Sequence, residues 1–339
     1  MADPRVTIVG ATGAVGTVAL EVLAQRNFPM SRLRLTASSR SVGRQLSFAG
    51  EKICVEDTTP EVFDESDIAF ISATDEISRD MAIAARERGC VTIDDSGVWR
   101  MDPKVPLVVP EINADDVDGH EGILSIPNCS TTPLAMVLDA LRAAAGIVRV
   151  VAATYQSVTG TGSAALAELE EQTRSVLDDG EAQAEQYPHQ IAFNLLPHIG
   201  SLRENGYYSE ETKMLNETRK ILHEPELPVS TTCVRVPVRV SHSEAVNIEF
   251  DRPIGVSRAR ELLAAYPGVV VIDDPANAAY PMPIDGADRD EVFVGRIRED
   301  TALENGLALW LVCDNLRKGA ATNAVQIAEE IVKRGAWLR

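Results

Sequence analysis

The chain has 339 residues, 45% of them hydrophobic, and a formal net charge of −19 at pH 7. That length exceeds the usual size of a single core, so two domains are expected. The charge disfavours nucleic acid and anionic membranes as partners, because both are polyanions, and no apolar run approaches the ~18 residues of a membrane span. Met1-Ala2-Asp3-Pro4 leads directly into a strand-like run without the basic and apolar regions of a secretory signal, so the cytoplasm is the expected compartment. Arg5–Gly10 then reads as a strand and Ala14–Gln25 as a helix. Leu33–Ala37, Ile68–Ser72 and Val91–Ile93 read as strands, with a helix near Ile77–Arg88, and Leu107–Val109 and Ile123–Ile126 as further strands. This βαβαβ rhythm predicts a parallel sheet with helices on both faces.

A second mixture of helices and strands follows. Thr131–Ala145 is predicted helical, Arg149–Tyr155 a strand, and Ser163–Leu177 a long acidic helix. Gln190–Tyr208 reads as loop, Glu210–Leu222 as helix, and Thr231–Val240 and Ala245–Phe250 as strands. A helix at Ser257–Ala265, strands at Val269–Ile272, Val292–Arg296 and Leu307–Val312, and an amphipathic helix at Ala320–Arg334 close the chain. The expected fold is α/β, with a Rossmann-like dinucleotide-binding domain (1–130 plus 317–339) and an α+β domain with a mixed sheet (131–316). The five cysteines (Cys54, Cys90, Cys129, Cys233 and Cys313) form no C-x-x-C pair, and their odd number argues against a disulfide framework or a zinc site, so no metal is expected.

The first strand ends in Gly10-Ala11-Thr12-Gly13-Ala14-Val15-Gly16, a G-x-x-G-x-x-G turn that opens a helix. Such glycines let the backbone approach a pyrophosphate, and the helix N-terminus offers N–H groups and positive partial charge. An ordinary glycine-rich βα turn is the alternative, and the position after the first strand favours the cofactor. After the second strand comes Ser38-Ser39-Arg40-Ser41, with no acid to bind a ribose hydroxyl but a guanidinium flanked by hydroxyls, which suits the 2′-phosphate of NADP. The bland alternative is an exposed turn arginine.

Cys129, in Ser125-Ile126-Pro127-Asn128-Cys129-Ser130-Thr131, stands where a strand enters a helix. A helix N-terminus stabilises a thiolate, which makes an acyl-accepting nucleophile. On position alone a buried structural cysteine serves equally well.

The segment Pro127-Asn128-Cys129-Ser130-Thr131 resembles the nucleophile motif of the aspartate-semialdehyde dehydrogenases. The likeness continues in order through Gly10–Gly16, Ser38–Gly43, Arg100-Met101-Asp102-Pro103, Val108–Asn113, Thr154–Gly160, Asn194–Ile199, Glu210–Lys220, Val234–His242 and Asp314–Gly319. The resemblance implies Cys129 as nucleophile, His242 as general acid/base, and Gln156 as the residue that orients the acyl group. It implies Arg235 and Glu210 at the substrate's carboxylate and ammonium, and Arg100, Lys213 and Asn128 on the phosphate side. Gly10, Thr12, Gly13, Ala14, Val15, Ser38, Arg40, Ser41, Thr159, Gly160 and Asn315 would hold the cofactor, NADP. The activity implied is reduction of aspartyl phosphate by NADPH to aspartate semialdehyde and phosphate through a cysteine thioester, in the biosynthesis of lysine, threonine, methionine and isoleucine. A homodimer or homotetramer is implied as well.

The residues themselves support most of these roles, since arginine is the preferred bidentate clamp for a carboxylate and histidine is suited to proton transfer near neutral pH. Strict alternation along Val234–His242, however, puts His242 on the valine face and Arg235 on the other, as for a buried core histidine. For both to reach one substrate the strand must bend, with Pro237 the obvious place. Glu210 and Lys213, three apart on a helix, also fit a solvated ion pair. Glu168, Glu170 and Glu171 read as a solvated helix face or part of a subunit contact, and His198 as structural. The chain departs from the family at Ser72-Ala73-Thr74-Asp75-Glu76, where glycines are usual, and at Asp94-Asp95 before Arg100. These changes place acids near the cofactor approach and near a phosphate-binding arginine. Two other readings share parts of the plan. N-acetylglutamyl-phosphate reductases tend to carry Gly and Tyr around the nucleophile, where this chain has Asn128 and Ser130; a non-catalytic dinucleotide-binding paralogue would be expected to lose the nucleophile.

Overall fold

The structure is a computed structural model that describes residues 3–337. The chain divides into two compact units, one formed by Met1–Asn128 with Ala320–Arg339 and the other by Cys129–Gly319.

The first unit runs β1 (Arg5–Val9), α1 (Ala14–Gln25), β2 (Arg32–Ala37), β3 (Gln45–Phe48), β4 (Glu51–Asp57), β5 (Ile68–Ile71), α2 (Asp75–Glu87), β6 (Val91–Asp94), the short α3 (Pro110–Asn113) and β7 (Ile123–Ser125). Its seven-stranded sheet has the order β3-β4-β2-β1-β5-β6-β7. All pairs are parallel except the β3–β4 hairpin. The inner strands β5 and β6 are buried at every position, as expected of a parallel sheet covered on both faces. From β1 the chain passes to β2 on one side and later to β5 on the other. The carboxyl ends of β1 and β5 therefore flank the point where strand order reverses, the place where open α/β sheets bind ligands.

The β3–β4 hairpin does not show in the hydrophobic pattern, because it is an edge on which only Val55 is fully buried. Leu107–Val109 is not a strand. It makes a single bridge, Leu107 to Ser125, before Pro110 starts α3.

The second unit runs α4 (Thr131–Arg142), β8 (Ile147–Gln156), α5 (Ser163–Leu177), α6 (Ser209–Leu222), β9 (Val229–Arg235), β10 (His242–Phe250), α7 (Val256–Ala265), β11 (Val269–Val271), α8 (Pro283–Gly286), β12 (Val292–Glu299) and β13 (Gly306–Cys313). The six-stranded sheet has the order β11-β12-β13-β10-β8-β9 and is mixed, with β8–β9 and β11–β12 parallel. Helix α4 is buried on nearly all sides, which fixes its N-terminus rigidly beside Cys129.

Thr231–Val240 is not one strand. Strand β9 stops at Arg235, the chain loops through Pro237, and Ser241 takes a left-handed φ of 72° before β10 opens at His242.

After a π-turn at Arg317–Ala321 the chain returns to the first unit as α9 (Thr322–Arg334). Its Val325, Ile327 and Ile331 join Leu20, Leu23 and Leu35 in one apolar cluster. Arg26, which caps the end of α1, and Glu329 of α9 form an ion pair at 2.6 Å over the same contact.

Candidate active site

In the first unit the β1–α1 turn is shaped for close backbone approach. Gly10 has φ 84°, and a Cβ there would collide with the Ser72 carbonyl oxygen at the end of β5. A Cβ at Gly16 would meet Gly10 and the Ala11 Cα at 2.8 Å. Gly13 caps α1, and the first turn, which starts at Ala14 and Val15, holds no acid of its own to compete for its N–H groups and positive dipole end. Thr12 Oγ1 donates to Ser41 Oγ at 3.3 Å, tying this turn to Ser38–Ser41 after β2, where Arg40 is exposed. The glycine cradle, the helix end and the guanidinium fit a dinucleotide.

The two departures noted above resolve differently. Asp75 and Glu76 form the first turn of α2, where acids suit the helix dipole. Asp94 turns inward and accepts the Ser96 backbone N–H at 2.9 Å. Asp95 is half-buried, accepts the Ser72 hydroxyl at 3.0 Å, and its backbone carbonyl accepts from Arg100 Nη2 at 2.7 Å. Burial pushes the Asp95 carboxyl up to about 6, against the opposing pull of Arg100 and of the Ser72 hydrogen bond.

In the second unit the sheet register assembles a row of side chains. Arg235 on β9 pairs with Gln156 on β8, and His242 on β10 pairs with Cys313 on β13. Because Ser243 pairs with Tyr155, His242 falls one step further on, beside Gln156. Arg235, Gln156, His242 and Cys313 thus share one face. Alternation fails here because the chain leaves the sheet at Arg235 and re-enters on another strand at His242.

Cys129 Sγ lies 3.2 Å from His242 Nε2. On the other side of the ring, Nδ1 accepts the Ser157 backbone N–H at 3.0 Å. A backbone N–H can only donate, so Nδ1 of the neutral ring carries no proton and Nε2–H points at the sulfur. Burial above all, and then the charge of Arg235, hold the His242 imidazole well below its ordinary pKa. Arg235 is buried and donates through Nη1 to the Ser157 carbonyl at 2.6 Å. Glycine is required at 160, where a Cβ would stand 2.9 Å from that same nitrogen and 3.1 Å from His242 Cε1. At Gly319 it would stand 3.0 Å from Cys129 Cβ.

Residues 5–120 match the family described as "Semialdehyde dehydrogenase, NAD binding domain", and residues 138–318 match "Semialdehyde dehydrogenase, dimerisation domain". An aspartate-semialdehyde dehydrogenase from Aquifex aeolicus (strain VF5) is 51% identical over 335 residues, covering 98% of each chain. The chain belongs to the aspartate-semialdehyde dehydrogenase family. Aspartate semialdehyde dehydrogenase II from Vibrio cholerae, in a crystal structure complexed with ASA, superimposes with a TM-score of 0.96 at 41% identity, over 98% of this chain and 99% of that one. The Candida albicans enzyme, in a crystal structure with NADP, gives a TM-score of 0.76 at 26% identity, over 98% and 99% of the two chains.

Glu210 and Lys213 of this aspartate-semialdehyde dehydrogenase family member form an ion pair at 3.4 Å on α6, with Glu210 buried and Lys213 partly exposed. Glu168 of α5 is not solvated: it is buried, accepting Gln172 Nε2 at 3.0 Å and the Glu185 backbone N–H at 3.1 Å, while Glu171 stays exposed. His198 bonds the Gly200 carbonyl at 3.0 Å. Asn315 lies beneath the histidine loop, its Oδ1 accepting from the Ser241 N–H and the Ser157 hydroxyl, both at 3.0 Å. Its Nδ2 donates to Thr159 Oγ1 at 3.2 Å.

Two polar residues of this region were given no role from the sequence. Ser157 follows Gln156 as an ordinary small residue would, and Glu244 reads as one acid in an alternating strand. The structure buries both, and burial alone pushes the Glu244 carboxyl well up, with neither oxygen hydrogen-bonded. No group of three or more His, Cys, Asp or Glu among the described residues is arranged to hold a metal ion.

Proposed function

We propose that the chain catalyses the NADP-linked interconversion of aspartyl phosphate with aspartate semialdehyde and phosphate, through a thioester on Cys129. The observation that carries this reading is the Cys129 Sγ–His242 Nε2 contact of 3.2 Å, in register with Gln156 and Arg235. In the direction of aldehyde oxidation, the sulfur adds to the carbonyl carbon and gives a hemithioacetal. His242, the general acid/base of this step, meets the hemithioacetal oxygen with its Nε2–H, and Gln156 holds that oxygen as it becomes the acyl oxygen. The nicotinamide, when bound, accepts the hydride in this direction and supplies it in the other. Phosphate then displaces the thiolate and leaves as the acyl phosphate. Arg235, which already spends one Nη on the Ser157 carbonyl, presents the rest of its fork to the substrate carboxylate, and Glu210 faces the ammonium. Arg100, Lys213 and Asn128 bind the phosphate, as the family resemblance implies. Gly10, Thr12, Gly13, Ala14 and Val15 hold the pyrophosphate of NADP, and Ser38, Arg40 and Ser41 its 2′-phosphate. Thr159, Gly160 and Asn315 line the nicotinamide end. This division assigns cofactor binding to 1–130 with 317–339, and catalysis and dimerisation to 131–316.

The sheet of the second unit supports a homodimer. Its helices α4, α6 and α7 pack on one face, whereas Val151, 44% exposed, and the Tyr155–Trp310 ring pair at 5.4 Å mark the other. A cytoplasmic location fits the absence, among the described residues, of any helix long and apolar enough to cross a membrane.

The test is oxidation of aspartate semialdehyde with NADP and NAD side by side, with and without phosphate. Turnover that needs phosphate and prefers NADP is expected. Equal turnover without phosphate, or faster turnover of N-acetylglutamate semialdehyde, overturns the reading.

A further inference from the structure

In the first unit the order of the strand ends dictates which way a dinucleotide lies. Arg40 follows β2, and the glycine turn follows β1, next to it in the sheet. A dinucleotide with its 2′-phosphate over β2 and its pyrophosphate over β1 therefore extends its nicotinamide half over β5 and β6, which come next in the order. Those ends form one ledge. The Ser72 N–H donates to the Val9 carbonyl at 3.0 Å, and the Asp95 N–H to the Ile71 carbonyl at 2.9 Å. The Ser72 carbonyl lies against Gly10, and the Ser72 hydroxyl donates to Asp95 Oδ2 at 3.0 Å. Of the acids around this ledge, Asp94 turns inward to Ser96, and Asp75 accepts the Gly97 N–H at 3.3 Å in the first turn of α2. Asp95 is half-buried, and its Oδ1 makes no hydrogen bond among the described residues.

We infer that Asp95 binds the cofactor, its carboxylate accepting hydrogen bonds from the hydroxyls of the nicotinamide ribose. The inference rests on the reading of the glycine turn and Arg40 as an NADP site. NADP carries one free ribose diol, because the 2′-hydroxyl of its adenosine ribose is esterified. A carboxylate is the side chain that suits such hydroxyls, as it does at the end of the second strand in NAD-binding sheets. Here the second strand ends in Ser38-Ser39-Arg40-Ser41 without an acid, and the carboxylate stands instead after β6, on the side where the free diol falls. Arg40 and Asp95 thus divide the two riboses by charge, a cation for the phosphorylated one and an anion for the diol. Burial pushes the Asp95 carboxyl up to about 6, with Arg100 and Asp94 the charged groups that face it, so it is an anion and the stronger acceptor above that pH. Arg100 Nη2 donates to the Asp95 backbone carbonyl, a bond that a change of side chain leaves in place.

The experiment measures binding by titration calorimetry at about pH 8, where the carboxyl is ionised, for the wild type and Asp95→Ala. The probes are NADP, 2′-phospho-ADP-ribose, which keeps the diol without the nicotinamide, and adenosine 2′,5′-bisphosphate, which has neither. Asp95→Ala removes a hydrogen-bonding charged group, so NADP and 2′-phospho-ADP-ribose should both bind about 10- to 100-fold more weakly. The bisphosphate should keep its Kd within about twofold, which also shows that the glycine turn and the Arg40 side of the site are intact. An unchanged Kd for NADP in Asp95→Ala overturns the inference. So does a loss confined to NADP, which places the contact on the nicotinamide, or an equal loss for the bisphosphate, which makes the role structural. Wild-type protein that fails to bind the bisphosphate overturns instead the NADP reading on which the inference rests.

Discussion

Replacing Arg235 by lysine separates charge from geometry. Arg235 is 5% exposed, and one of its guanidinium nitrogens is committed to the Ser157 carbonyl at 2.6 Å. A fork can hold that carbonyl and still offer two parallel donors to a carboxylate, whereas an ammonium is a single point that must choose. The substitution therefore removes at least one hydrogen bond to a charged group, worth about 1.5–3 kcal/mol, which is about 10- to 150-fold in affinity. The positive charge remains, so the pressure that Arg235 exerts on the His242 imidazole persists and kcat should change by less than about tenfold. Steady-state kinetics with varied aspartate semialdehyde at saturating NADP and phosphate measure both quantities. A KM within about threefold of the wild type refutes the bidentate assignment. A Leu at 235, by contrast, should also let the His242 titration rise, because the second cause of its depression is gone.

Three further outcomes follow from the geometry of other groups. Asp95, with its carboxyl near 6, turns from neutral to anionic beside Arg100 as pH rises, so the KM for phosphate of the wild type relative to Asp95→Asn should climb by about three- to tenfold between about pH 5 and 8 and then level off. A ratio independent of pH contradicts that placement. Glu244 is held neutral when folded and ionises readily when unfolded, above about pH 4.3; the stability it contributes is complete below that value and is lost as pH rises toward its folded pKa. Glu244→Gln should accordingly be more stable than the wild type by about 1–3 kcal/mol at about pH 8 and nearly equal at about pH 4, by chemical denaturation. Equal stability at both pH values contradicts the buried neutral acid. Arg40→Ala should raise the KM for NADP by about tenfold while leaving that for NAD within about threefold, and a parallel change in both rules out a 2′-phosphate contact.

Much of the fold was legible because strong local signals agreed with tertiary placement. The glycine turn and the even apolar face of α1 define Ala14–Gln25, and Ser163–Leu177 runs between Gly162 and a polar turn. What escaped had weak or contradictory signals. The β3–β4 hairpin lies at a sheet edge, so nearly all its side chains are exposed or half-buried and no apolar period stands out. Leu107–Val109 is apolar because it is buried, but Pro110 diverts it before a ladder can form. The placement of Arg235 and His242 on one face could not come from alternation, since the loop through Pro237 and the left-handed Ser241 resets the register. Glu168 was misread for a related reason. Helical spacing tells which residues share a face, but not that the segment around Glu185 folds over that face and offers its N–H groups. Cys129 was equivocal on position alone; the family resemblance singled it out, and the structure sets His242 Nε2 3.2 Å from its sulfur.

The central claim is an acyl group on the Cys129 sulfur, and it can be read directly. Protein mixed with aspartate semialdehyde and NADP without phosphate, quenched in acid, digested and analysed by mass spectrometry should carry an aspartyl adduct on the peptide containing Cys129. Added phosphate should discharge that adduct, and Cys129→Ala should show neither adduct nor turnover. An adduct on another residue, or turnover retained in Cys129→Ala, contradicts the account.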